Sequence, residues 1–144
     1  MTVPDAVLAL IEAAVPGVVV FDSGVPDEDE TVPVPDRYAV LWPDDGTRGL
    51  DPENMRVATA STGERYRFQV SSVAPDRQMA AWIARRIRDA ITDAVPAVDG
   101  YSCGPIRHTM TFSPVREEQV LARRAVLIAD RYEILADRAT AAGS

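Results

Sequence analysis

Residues 65 to 91 constrain the fold of this chain more than any other stretch. Arg65-Tyr-Arg-Phe-Gln-Val70 alternates with a period of two, so Tyr66, Phe68 and Val70 share one strand face and Arg65, Arg67 and Gln69 the other. Ala74-Pro75-Asp76 breaks the strand, and the Asp76 carboxylate is placed to accept an N–H from the first turn of a following helix. Met79 or Ala80, Ile83, Ile87, Ala90 or Ile91, and Ala94 then recur at helical spacing, with Arg85, Arg88 and Asp89 on the polar side and Pro96 closing the helix. A half-buried strand running into an amphipathic helix requires a sheet with that helix laid on its apolar face.

The flanking segments extend this pattern. Thr2-Val-Pro-Asp5 reads as a helix start, with Thr2 as N-cap, and Leu8, Ile11, Glu12 and Val15 continue it to Pro16-Gly17. Val18-Val-Val-Phe-Asp22 reads as a strand buried on both faces. Tyr38, Val40 and Trp42 alternate along a second strand that stops at Pro43. Asn54–Ala60 and Arg65–Val73 flank the Gly-containing link Ser61-Thr-Gly-Glu64, as in a β-hairpin. Ile106, His108, Met110 and Phe112 alternate as the apolar face of another strand, Ser113–Arg124 reads as a charged connector, and Ala125–Leu135 is a final strand. The expected fold is α+β, a mixed and largely antiparallel sheet with both helices on one face. Residues 1–135 form a single domain, and residues 136–144 read as a disordered tail.

Composition narrows the chemistry. All 15 basic residues are arginine, so a phosphate-loop lysine or a Schiff-base lysine is excluded. The net charge of −7 disfavours general affinity for nucleic acid or anionic membrane, and no apolar run reaches membrane-spanning length. Cys103 is the one cysteine and has no internal disulfide partner. No cofactor motif is present.

The N-terminal helix before Val18–Asp22, the Asp36-Arg-Tyr-Ala-Val-Leu-Trp42 strand, Arg65–Val70 with its Ala81-Trp-Ile-Ala-Arg-Arg-Ile87 helix, and the Ala129-Asp-Arg-Tyr-Glu-Ile-Leu135 strand follow one another in a recognisable order. That order resembles the tail terminator (tail completion) proteins of long-tailed siphophages, especially those of actinobacterial phages and prophages. The resemblance implies a non-enzymatic virion subunit at the tail–neck junction, assembled in the host cytoplasm. Such subunits form a ring, usually a hexamer, that caps the tail tube, stops its polymerisation and offers a docking surface to the head connector. Its implied partners are copies of itself, the major tail tube protein and the head–tail connector, with no sequence-specific nucleic acid and no membrane. The nearest alternative is another neck protein, such as a stopper or connector. Further alternatives are a small intracellular enzyme and a small-molecule binding module.

Individual side chains are weighed against these readings. His108 and Asp130 fall on apolar strand faces and can pair if their strands are neighbours; a structural pair is favoured over half of a hydrolytic triad, because no serine sits in a Gly-x-Ser-x-Gly setting. Asp27, Glu28, Asp29 and Glu30 lack the glycine and spaced ligands of a calcium loop and read as a solvated acidic loop facing a ring lumen or a partner. Trp82 and Arg86 on the second helix, and Arg116, Glu117, Glu118, Arg123 and Arg124 on the connector, are candidate subunit contacts. Cys103 reads as a simple loop cysteine.

Overall fold

The computed structural model describes residues 2–24, 35–43, 63–112, 116–120 and 123–138. Helix α1 spans Val3–Ala14. Its capping box is complete: Thr2 Oγ1 accepts from the Asp5 N–H, and the Asp5 carboxylate accepts from the Thr2 N–H. That backbone hydrogen bond, more than the side-chain one, holds the Asp5 carboxyl below its ordinary range. Helix α2 spans Arg77–Ile91 and is capped by Asp76, which accepts from the Met79 N–H at 2.8 Å. Ala80, Ile83, Ala84, Ile87 and Ile91 form its buried stripe. Each buried isoleucine contributes about 2–3 kcal/mol of transfer free energy. The helix ends at Ile91 rather than at Pro96, because Asp93 takes a positive φ of 66° and turns the chain away.

The strands are β1 (Val19–Asp22), β2 (Tyr38–Pro43), β3 (Gly63–Ala74), β4 (Tyr101–Cys103), β5 (Arg107–Thr111), β6 (Arg116–Val120) and β7 (Arg123–Arg138). Among the described residues they form one seven-stranded sheet. β1 and β2 are parallel, and every other pairing is antiparallel. β7 organises the sheet. One side of it pairs with β3 from Val126 to Asp137; the other takes β6, β5 and β4 in succession. The fold is α+β, with both helices against the sheet face that carries Leu41, Phe68, Val70, Ile128, Tyr132 and Ile134. A smaller apolar cluster of Tyr38, Val40, Val73 and Ala125, with Phe21 and Leu127 beside it, sits on the opposite face.

Several sequence expectations are corrected. Val18–Asp22 is not buried on both faces: β1 pairs on one side with β2 and leaves Val19 48% exposed. The charged connector contains strand β6, which pairs antiparallel with the start of β7 on the edge opposite β3. β7 continues through Arg138, past the expected end at Leu135, because β4 and β3 supply pairing for its last residues. Cys103 lies in strand β4 rather than a loop. The segment Asn54–Ala60 of the expected hairpin, the acidic residues Asp27, Glu28, Asp29 and Glu30, and residues 139–144 of the expected tail lie outside the described residues.

Candidate functional site

The main cluster of buried polar groups forms where β5 meets β7 beneath α2. Register sets its layers. Phe68, Tyr132 and His108 stand in one row across β3, β7 and β5, with Phe68 stacked on Tyr132 at 5.3 Å and His108 tilted against it at 5.3 Å. Val70, Asp130 and Thr111 form the next row. In a regular strand, residues 108 and 111 would point to opposite faces. A β-bulge between His108 and Met110 absorbs one residue, so His108 and Thr111 both face Asp130. The same bulge explains why Met110 and Phe112, expected on the buried face, are 50% and 36% exposed.

Asp130 is 1% exposed, and its Oδ1 is the hub of the cluster. Arg88 Nη2 donates to it from α2 at 2.9 Å, His108 Nε2 at 3.0 Å, and the Thr111 hydroxyl donates to it as well. A carboxylate only accepts, so the histidine contact requires the proton on Nε2. Thr111 Oγ1 in turn lies 3.0 Å from His108 Nε2 and 3.3 Å from Arg88 Nη2. A buried carboxylate needs such pairing, because desolvation disfavours its charge. The arrangement ties helix to sheet and fixes the bulge.

It is not wired for acyl transfer. A relay needs one imidazole nitrogen on the nucleophile and the other on the acid. Here Nε2 faces both Thr111 and Asp130, so His108 cannot take the threonine proton while Asp130 holds it. Behind the cluster, burial, reinforced by the Asp130 charge, pushes the Tyr132 phenol up, with Arg88 acting in the opposite sense. The Tyr132 hydroxyl and Arg88 Nε are buried with no hydrogen-bond partner among the described residues. Burial likewise pushes the Cys103 thiol up, which opposes thiolate chemistry.

The sequence does not single out Arg88 or Thr111 as members of this cluster. Arg88 stands one turn after the buried Ala84, and that spacing is the available signal. Thr111 gives none, because a bulge has no sequence mark here.

The remaining candidates are dispersed. Trp82 is 47% exposed on α2, with the Arg86 guanidinium 5.3 Å from its ring centroid. Arg116, Glu117 and Glu118 belong to β6, where they pair with Leu127, Val126 and Ala125; Arg123 and Arg124 open β7 opposite Val120 and Gln119. Asp27, Glu28, Asp29 and Glu30 fall outside the described residues, so no geometry bears on the expected acidic loop.

The sheet face away from the helices carries most of the exposed apolar strand residues. Trp42, Gln69, Arg131 and Met110 form one row across β2, β3, β7 and β5, and the Arg131 guanidinium sits 5.1 Å from the Phe112 ring centroid. Arg67, Glu133 and Arg107 form the next row, and Arg65 with Leu135 a third. Glu133 stands 4.0 Å from both Arg65 and Arg67. Among the described residues no group of His, Cys, Asp or Glu is arranged to hold a metal, and no helix is long and apolar enough to cross a membrane.

No family model matches the sequence, and no curated protein is similar to it. The fold is similar to that of a chain in the virion of a native gene transfer agent particle, with a TM-score of 0.61 and 16% identity, covering 93% of both chains. A second solved chain, 19% identical, aligns over 90% of this chain and 88% of its own with a TM-score of 0.48. The first of these likenesses concerns the fold alone.

Proposed function

We propose that this chain is a structural subunit of a phage-like virion, and specifically a tail terminator. In this reading it closes into a ring, taken as hexameric, on the end of the tail tube, halts tube growth and presents a surface to the head connector. The observation that carries the reading is the end-to-end likeness of fold to a chain of a gene transfer agent virion. The order of elements agrees with the terminator resemblance carried by the Val18–Asp22, Asp36–Trp42, Arg65–Ile87 and Ala129–Leu135 segments.

Two structural features support an assembling, non-catalytic subunit. The Asp130 cluster consumes its own polar groups in packing and leaves no nucleophile–base pair. Among the described residues the sheet is open, with β1 along one side and short β4, β5 and β6 along the other, and open edges are stable when a neighbouring chain covers them.

The test is tube growth in the presence of this protein. Polymerising the cognate tail tube protein with it should give tubes of limited length, each with extra density at one end in negative stain. Tubes of unchanged length with no bound protein would overturn the terminator reading. Unchanged tubes together with binding to the head connector would favour another neck protein.

A further inference from the structure

The helix-free face of the sheet differs from the rest of the molecule in charge. Arg65, Arg67, Arg107 and Arg131 share it by register, against the carboxylates Glu133 and Asp137. Away from it, the exposed carboxylates of the described residues, Asp5, Glu12, Asp22, Asp89, Asp93 and Asp99 among them, outnumber the exposed arginines. The face is also apolar where it is open: Trp42 is 42% exposed, Met110 50% and Leu135 53%. Aromatic and aliphatic groups interleaved with arginine have the composition of an interface core rather than of a solvated surface.

We infer that this face is where one copy of the chain receives the next, docking against an acid-rich surface of its neighbour and not against the neighbour's own helix-free face. The inference rests on the reading that the chain closes into a ring, and it adds the surface that makes the contact. Two identical faces brought together about a two-fold axis would set arginine rows against arginine rows. Like charges across an interface oppose association, whereas the acid elsewhere on the same chain is complementary. A contact between two different surfaces is heterologous, and repetition of it gives a ring or an open filament instead of a closed pair. Arginine with exposed aromatics on a sheet is also the chemistry of single-stranded nucleic-acid binding. The −7 charge opposes approach of a polyanion and favours the protein partner.

Light scattering after size exclusion, run on the full chain at increasing salt, tests this. The wild type should assemble at low salt and dissociate as salt rises. The Arg67→Glu, Arg131→Glu double variant should keep the wild-type circular dichroism spectrum and melting curve while its dissociation constant rises by at least about tenfold. Wild-type assembly in a folded double variant would overturn the assignment of this face, and so would a wild type that stays monomeric at every salt concentration.

A single-cysteine variant, Gln69→Cys with Cys103→Ser, reports the symmetry. It should form no disulfide-linked dimer on oxidation, and quantitative conversion to one would show face-to-face packing and overturn the inference. Arginine-dependent binding of a labelled oligonucleotide by a monomeric wild type would identify the face as a nucleic-acid surface instead. Tube growth is scored separately: rings that persist in the double variant overturn only this assignment, while rings that fail to limit tubes overturn only the terminator reading.

Discussion

A single oxygen of Asp130 takes donors from a helix, from a bulged strand and from a hydroxyl three residues along that strand. Removing the carboxylate leaves Arg88 and His108 with only the Thr111 hydroxyl oxygen as a shared acceptor, although both reach enough solvent to rehydrate in part. Asp130→Ala should therefore cost about 2–4 kcal/mol in urea denaturation, and Asp130→Asn, which keeps an acceptor, should cost less. Tyr132 makes a different prediction. Its phenol is pushed above the ordinary 10.0, so the folded state holds that proton more tightly than the unfolded chain. The resulting stability is intact below pH 10.0 and is lost as pH rises beyond it. Tyr132→Phe should flatten this alkaline decline. At pH 7 it should change stability by less than about 1 kcal/mol, because Arg88, the donor nearest the hydroxyl, keeps Asp130 as its acceptor. The pairing of His108 with Asp130 is readable from alternation, since both fall on apolar strand faces. The third and fourth members are not: Thr111 reaches the site only through the bulge, and Arg88 only through tertiary packing of a helix face that its sequence marks as polar.

Among the elements, β7 is flanked along most of its length, by β3 on one side and by β6, β5 and β4 on the other. Hydrogen exchange should find its amides from Ile128 to Ile134 the slowest in the sheet, and those of β1 and β6 faster, because an edge strand opens without disrupting two ladders. Uniform protection across β6 and β7 would contradict this. Helices are the most legible elements, because capping residues and a 3.6 spacing act locally: Thr2 and Asp76 stand where their chemistry places them. β6 is the least legible. A strand rich in charge reads as a connector, and only the β7 edge left free by β3 provides it with a partner.

For the molecule as a whole, charge is unevenly shared between two sides of one sheet, and so is greasiness. Leu135, 53% exposed beside the arginines, is a probe of assembly rather than of folding. Leu135→Glu should leave monomer stability within about 0.5 kcal/mol in denaturant, yet weaken self-association measured by light scattering. An unchanged oligomer would count against the helix-free face as a contact. The placing of β7 also has a consequence in time. β3 is synthesised long before the strand that completes it, and β4, β5 and β6 likewise precede the partner they share. Until β7 emerges from the ribosome, the two helices have only the half-made sheet of β1, β2 and β3 to cover. Folding of this sheet is thus expected to wait for the end of β7, and a nascent chain stalled before Ala125 should be open to chaperones and proteases.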